Sequence, residues 1–426
     1  MFAGPNGRRP PKGETFMVFS SEADDQLRAV HADQGEVFVP FDLDEAYRNY
    51  ITEIFCLTTR QQKLSDRQLR IYYRVKRLLP RRFWLAVRRS YIRSGKPIVF
   101  PQWPLDSSVE KLLRFYAHCL LLRADATEAG FAWFWPRDHR AAVILTHDVE
   151  SAEGLRLALE LAALEEARGL RSSFNIVGAH YPIDYGIVAE LRARGFEIGL
   201  HGLVHDRSLF SSRAEFERQL PQLREAAARL GAVGFRSPAT YRVPEWMPEL
   251  PAAYDTSSPL SDPYEPQPGG CCSIWPFLLG SIVELPYTLP QDHTLFTLLR
   301  QKGAATWLSQ MEGLEQRFGL IEFLSHPDRG YLGDPDKRAL YAEALDVVAA
   351  NDRLWKPLPR ELASWWRRRD ARETAFPEQL TGTFVRSEES AFVTLVPPAA
   401  SHHAVRPEQR ILPFRSVATD RRQCEG

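Results

Sequence analysis

Apolar positions change rhythm along the chain, and the change divides it. From residue 141 onward, short apolar runs alternate with longer amphipathic stretches that end at glycine. Residues 141–145, 173–177, 196–200, 233–235, 282–285 and 319–324 have the length and character of buried strands. Between them, 155–168, 187–194 and 213–230 read as helices, closed by Gly169, Gly195 and Gly231 at the position where a left-handed residue ends a helix. Residues 340–350 and 360–369 add two more helices. Strands alternating with helices predict an α/β domain with a mainly parallel sheet, a barrel being one form of it.

Upstream the pattern differs. Residues 1–37 carry Pro, Gly and mixed charge without apolar periodicity and read as a flexible tail. Residues 38–140 are basic, aromatic and mainly helical in pattern. A helix is expected over 66–79, stopped by Pro80, with Leu69, Tyr72, Val75 and Leu79 on one face. A second is expected over 81–93, with Phe83, Val87 and Tyr91 on one face. Between Arg67 and Lys96 there are eleven basic residues and no acid. Such a segment either packs its apolar stripe on the same chain or lies on an anionic membrane surface. Phe131, Trp133, Phe134 and Trp135 read as core or interface, with sugar stacking as the alternative. Beyond the 141–365 unit, 366–426 reads as an extension with one hairpin over 383–396 and a flexible tail after it.

Composition narrows the function. Lys+Arg and Asp+Glu are 54 each over 426 residues, so the chain as a whole lacks the basic footprint of a nucleic-acid binder. No apolar run is long enough for a membrane span, and the first residues lack the apolar core of a secretory signal. Cys56, Cys119, Cys271, Cys272 and Cys424 are sparse and scattered. They suggest no disulfide framework, and a reducing cytoplasm is the expected setting, with contact to a membrane surface through 67–96 as an addition.

Polar residues gather where the expected strands end. Thr146-His147-Asp148-Val149-Glu150 follows the first strand, and alternation along a strand points Asp148 and Glu150 the same way. Acid pairs at this spacing are common by chance, so position is the informative part. His201-Gly202-Leu203-Val204-His205 follows another strand. In a helical turn residues four apart share a face, and two imidazoles there can grip one metal ion; a surface pair is the plain alternative. Arg236-Ser237-Pro238, Tyr254-Asp255 and Ser325-His326-Pro327 complete the set. In α/β folds catalytic groups sit at strand termini. Two histidines and a carboxylate would leave a metal position open for water, and a spare carboxylate and a late histidine would supply base and acid, the parts of metal-assisted hydrolysis.

The order of these five motifs resembles the polysaccharide deacetylases of carbohydrate esterase family 4, over about residues 141–365. The resemblance implies a distorted (β/α) barrel, here with a mainly helical N-terminal extension, and an enzyme that removes N-acetyl groups from an amino sugar with a divalent metal such as zinc. By position, it implies Asp148 as catalytic base, Glu150, His201 and His205 as metal ligands, and Arg236 as the partner of the base. His326 takes the place of the catalytic acid, and Asp255 that of the carboxylate orienting it. Gly202 replaces the usual Ser/Thr after the first histidine, and Thr240 stands where an aromatic is common. Because fold does not fix substrate, the alternatives are a same-fold amidohydrolase or deformylase acting on another C–N bond, or a non-catalytic sugar-binding module.

Overall fold

The computed structural model describes residues 12–20, 26–32, 36–54, 81–94, 100–371, 380–387 and 390–398. Three antiparallel strands come first: β1 (Gly13–Ser20), β2 (Gln26–Ala32) and β3 (Val37–Phe38). Helices α1 (Leu43–Ile51), α2 (Arg81–Ser94) and α3 (Ser108–Arg123) follow, then β4 (Glu128–Ala132). The main unit opens with β5 (Ala141–Val149), α4 (Ala152–Glu166), β6 (Ser173–Ile176), α5 (Tyr185–Ala193) and β7 (Glu197–Leu200). It continues through α6 (Arg213–Leu230), β8 (Gly234–Phe235), β9 (Tyr254–Asp255), β10 (Phe277–Leu279) and β11 (Ile282–Glu284). A six-residue π-helical turn, His293–Leu298, precedes α7 (Ala305–Gln316) and β12 (Leu320–Ser325). The chain then forms α8 (Pro335–Ala350), β13 (Leu354–Trp355), α9 (Pro359–Ala371), β14 (Thr381–Ser387) and β15 (Ser390–Val396).

The large sheet runs β10-β11-β9-β8-β7-β6-β5-β12, with β13 also paired to β5. Every pair in it is parallel except β10 with β11. It is the distorted, incomplete (β/α) barrel that the motif order implies. The strands are short and buried on both faces, and β5 is buried at every residue. That is why they read as continuous apolar runs rather than as alternation. Side-chain caps set the helix starts: Ser151 accepts from Gly154 N–H, and Ser212 from Glu215 N–H. Gly231 ends α6 in the left-handed region, as its place in the sequence predicts.

The flanking regions are less separate than their composition suggests. Residues 13–20, 26–32 and 37–38 are not a tail: they form the β1-β2-β3 sheet, whose Phe16 and Phe19 cover a small core of Phe41, Ala46, Phe115 and Cys119. Helix α9 runs past residue 365. The hairpin appears where expected, with Ser387 opposite Ser390, but β14 also pairs with β4 and so joins the C-terminal segment to the N-terminal region. The aromatic cluster is core. Phe131 stacks on Phe384 with centroids 4.1 Å apart, and Phe134 on Trp275 at 4.6 Å. The indoles of Trp133 and Trp135 donate to the carbonyls of His139 and Phe318 at 2.9 and 3.0 Å. Cys119, Cys271 and Cys272 are buried. The expected helix over 66–79 lies outside the described residues. Among the described residues no helix is long and apolar enough to cross a membrane.

Glu197, at the start of β7, is buried under α9. It accepts from Tyr254 Oη at 2.5 Å and from the Arg360 N–H at 3.3 Å. Burial pushes its carboxyl up to about 7, against the pull of these hydrogen bonds. A raised carboxyl pKa favours the folded state while the group keeps its proton, so this contribution is full below the ordinary glutamate range and falls as pH rises through about 7. The loss is on the order of 3 kcal/mol. Denaturant titrations from pH 5 to 8 should show this decline in the wild type and a flatter profile in Glu197→Gln; identical profiles would refute it.

Candidate metal centre

Parallel strands place their C-terminal ends on one edge of the sheet, where all five polar clusters lie, and four of them converge on one centre. Asp148 is the penultimate residue of β5 and Glu150 follows the strand. His201 follows β7 and its N–H still donates to Ile176 O at 2.9 Å. Arg236 follows β8, and His326 follows β12.

Ligand atoms of Glu150, His201 and His205 lie within 4.8 Å of one another. His205 Nε2 is 3.0 Å from Glu150 Oε1, and both side chains keep 26% of their surface exposed, which opens the cluster to solvent. His201 is buried. Its Nδ1 faces the Arg236 carbonyl oxygen at 3.0 Å and must donate to it. That fixes the tautomer and leaves a lone pair on Nε2, which is buried without a hydrogen-bond partner. A buried acceptor left unanswered is costly unless something fills its place. Two imidazoles and one carboxylate are the donor set of an open zinc-type site, so these residues fit a divalent metal. Burial pushes the His201 pKa down to about 4, against the pull of Asp148. The ring is therefore neutral near pH 7, as a ligand must be. Burial would raise the Glu150 carboxyl, but His205 beside it holds it well below the usual range.

The histidine pair does not sit on a helix. Residues 201–207 form an irregular loop, and Gly202 and Leu203 accept from the N–H groups of Gly178 and Ala179 at 2.8 Å each. Gly202 has φ +67°, and a Cβ there would lie 2.9 Å from Pro238 Cγ. This accounts for glycine where Ser/Thr is usual. The loop still brings the two rings together, with centroids 5.2 Å apart.

Asp148 faces the cluster from the buried side. Its Oδ2 is 3.8 Å from His201 Nε2, and its Oδ1 accepts from Asn175 Nδ2 at 2.9 Å. Asn175 has room only because Gly199 has no side chain: a Cβ there would sit 2.0 Å from the amide oxygen. Burial would raise the Asp148 carboxyl, but His201, Arg236 and His326 together bring it below its ordinary value. The fully buried Arg236 lies between two carboxyl groups. It approaches Asp148 at 3.8 Å and Glu322 at 2.5 Å, and also donates to Thr146 and Thr256 hydroxyls at 2.9 and 2.8 Å. Burial pushes Glu322 up to about 8 in spite of Arg236.

His326 has a different orienting carboxylate from the one expected. Its Nδ1 is 2.8 Å from Asp292 Oδ1, and its N–H donates to Asp292 Oδ2 at 3.0 Å. Burial would lower the imidazole, but Asp292 takes it up to about 10. Its Nε2 reaches to 3.7 Å from Glu150 Oε1. Asp255 instead turns to Ser257, accepting from its N–H at 2.9 Å and its hydroxyl at 2.8 Å, and shares a buried pocket with Glu284. Burial raises both carboxyls. Asp292 precedes the π-helical turn, so no strand-end pattern marked it; the sole cue was an Asp-His pair three residues after Leu289.

Asp328 was also missed. It accepts from the Glu150 N–H at 3.0 Å and from the Ser151 hydroxyl, so one loop carries His326 and also pins the candidate ligand Glu150. Arg242 lies in the loop that follows Arg236. It forms a bidentate pair with Glu53 at 2.8 and 2.6 Å and donates to Thr240 O at 2.8 Å, across Ala239 and Thr240, which both hold positive φ. Left-handed backbone at non-glycine residues is strained and persists where its surroundings hold it.

No family model matches the chain, and no curated protein matches its sequence. Solved structures do resemble it. A Mycobacterium smegmatis protein described as a polysaccharide deacetylase is 20% identical, over 61% of this chain and 98% of that one, with a TM-score of 0.43. PuuE allantoinase is 15% identical over 57% and 94%, at 0.42. The family 4 carbohydrate esterase of Streptomyces lividans, in complex with acetate, is 13% identical over 51% and 92%, at 0.32.

Zinc titration by calorimetry checks the centre. The wild type should bind one equivalent, and His201→Ala/His205→Ala should bind more than roughly 100-fold more weakly. Equal affinity in the two would place the metal elsewhere.

Proposed function

We propose that the protein is a metal-dependent hydrolase that removes N-acetyl groups from an amino sugar in a saccharide. The observation that carries this is the open Glu150/His201/His205 cluster, with its unanswered His201 Nε2, set between an ionised carboxylate and a protonated histidine. A divalent cation held there supplies a Lewis acid for the acetamide carbonyl and acidifies a bound water. Asp148, ionised beside Arg236, accepts the proton of the attacking water. As the C–O bond forms and the C–N bond breaks, His326 gives its Nε2 proton to the departing amine. Asp292 fixes that ring through Nδ1 and keeps it charged, the state an acid needs before transfer. Acetate and the free amino sugar leave, and both proton carriers return to their starting states after exchange with solvent.

The contact of His326 Nδ1 with Asp292 supports Asp292, in place of Asp255, as the orienting carboxylate. Asp292→Asn should lower kcat for acetate release from acetylated chitooligosaccharides by about 10²–10⁴-fold and leave zinc content unchanged. Asp255→Asn should spare kcat at temperatures where the protein stays folded. The reverse ranking would return the orienting role to Asp255. A wild type that releases formate from N-formyl sugars and no acetate from any N-acetyl sugar would overturn the proposed acyl group.

A further inference from the structure

Asp262 and Gly269 close a loop on itself. The Asp262 N–H donates to Gly269 O at 2.7 Å, and the Gly269 N–H to Asp262 O at 3.1 Å. Asp262 accepts from the Tyr264 N–H at 2.8 Å, from Tyr287 Oη at 3.1 Å and from Gln291 Nε2 at 3.3 Å. Gln267 exchanges hydrogen bonds with the backbone of Arg242 at 3.2 and 3.0 Å. Glu265 is the exception. Its side chain keeps only 5% of its surface exposed, yet among the described residues no hydrogen bond reaches either carboxyl oxygen. Arg88 Nη2 lies 3.6 Å from Oε1, beyond a hydrogen bond, and donates instead to the Tyr264 carbonyl.

The loop is built onto the metal centre. Gln291, which meets Asp262, precedes Asp292, the residue that holds His326. The Tyr287 ring, which also meets Asp262, lies 5.9 Å from the Arg236 guanidinium. Glu265 itself feels the charges of His326 and Glu150. Those two groups flank the acetamide in the reaction proposed above, so the ring that carries the acetamide is brought to this loop. Burial pushes the Glu265 carboxyl up to about 7, against the pull of Arg88 and with Asp262 adding to the rise. Near neutral pH both of its states are populated. A hydroxyl donates to a carboxylate and accepts from a carboxylic acid, so it answers either one. An anionic group there would face Glu150 as well.

We infer that Glu265 binds substrate: it hydrogen-bonds one ring hydroxyl of the amino sugar, and the enzyme thereby selects N-acetylated sugars in which that hydroxyl is free. This inference rests on the hydrolase reading above. A buried carboxyl group without a hydrogen bond is costly, and a ligand hydroxyl that reaches it recovers the loss. An analogue that lacks the hydroxyl leaves the carboxyl unanswered, and sites reject near-identical substrates most strongly in this way.

The test is calorimetry on the zinc-loaded full chain, with the methyl glycoside of N-acetylglucosamine and each of its monodeoxy analogues. One analogue should bind the wild type roughly 10–100-fold more weakly than the parent. Glu265→Leu removes both oxygens at similar volume and should lose that penalty with zinc content unchanged. Glu265→Gln keeps the shape and a neutral acceptor, so at alkaline pH, where the wild-type carboxylate dominates, its penalty should be smaller than the wild type's. A wild type that binds every analogue as tightly as the parent, or binds no saccharide, would overturn the assignment. So would the full penalty in Glu265→Leu. If Glu265→Leu does not hold zinc, Glu265→Gln decides, and a penalty equal to the wild type's overturns the assignment. Binding that shows the penalty without acetate release would sink the hydrolase reading alone. Acetate release with no penalty for any analogue, in binding or in kcat/KM, would sink the role of Glu265 alone.

Discussion

A cation with no exposure to water has to be answered by the protein, and Arg236 is such a cation. Removing a buried charge from its partners costs several kcal/mol, so the groups around it are held to narrow positions. Its guanidinium ties β8 to Thr146 on β5, to Glu322 on β12 and to Thr256 after β9. Its remaining reach goes to Asp148. Its backbone carbonyl fixes the tautomer of His201. One residue thus sets the ionisation of the candidate base and the lone pair of a candidate ligand. Substitution there would disturb both at once.

The rest of the molecule works to hold that edge of the sheet. Asn175, admitted by Gly199, takes the second side of Asp148. Asp328 pins the backbone of Glu150, which has already left its strand. Glu53, from the turn after α1, clamps Arg242 and with it the strained stretch at Ala239 and Thr240. The N-terminal region therefore braces the loop that follows Arg236. Arg88 and Arg89 also tie α2 to Tyr264 and to the π-helical turn that follows Asp292.

What could be read in the sequence follows from what local pattern encodes. The parallel strands were legible because burial on both faces leaves uninterrupted apolar runs, and the helices because capping glycines end them. Asp148, Glu150, His201, Arg236 and His326 were legible because strand ends collect polar residues in parallel folds. Three things were not. Asp292 lies before a π-helical turn with no strand-end signature, so Asp255, which does have one, drew the assignment meant for it. The β1-β2-β3 sheet has a first strand that is exposed or only half-buried, which leaves no clean apolar alternation to read. The pairing of β4 with β14 joins residues about 250 apart, and no local pattern carries such a contact. The helical geometry expected for His201 and His205 was wrong in conformation and right in outcome, because a loop turned by Gly202 brings the same two rings together.

The central claim is that Glu150, His201 and His205 hold a divalent metal open to solvent. X-ray absorption at the zinc edge of the zinc-loaded full chain tests it most directly. The account predicts scattering from two imidazoles and from light oxygen donors at about 2.0–2.2 Å, with no sulfur. A first shell containing sulfur, a single imidazole, or four protein ligands closed around the ion would contradict it.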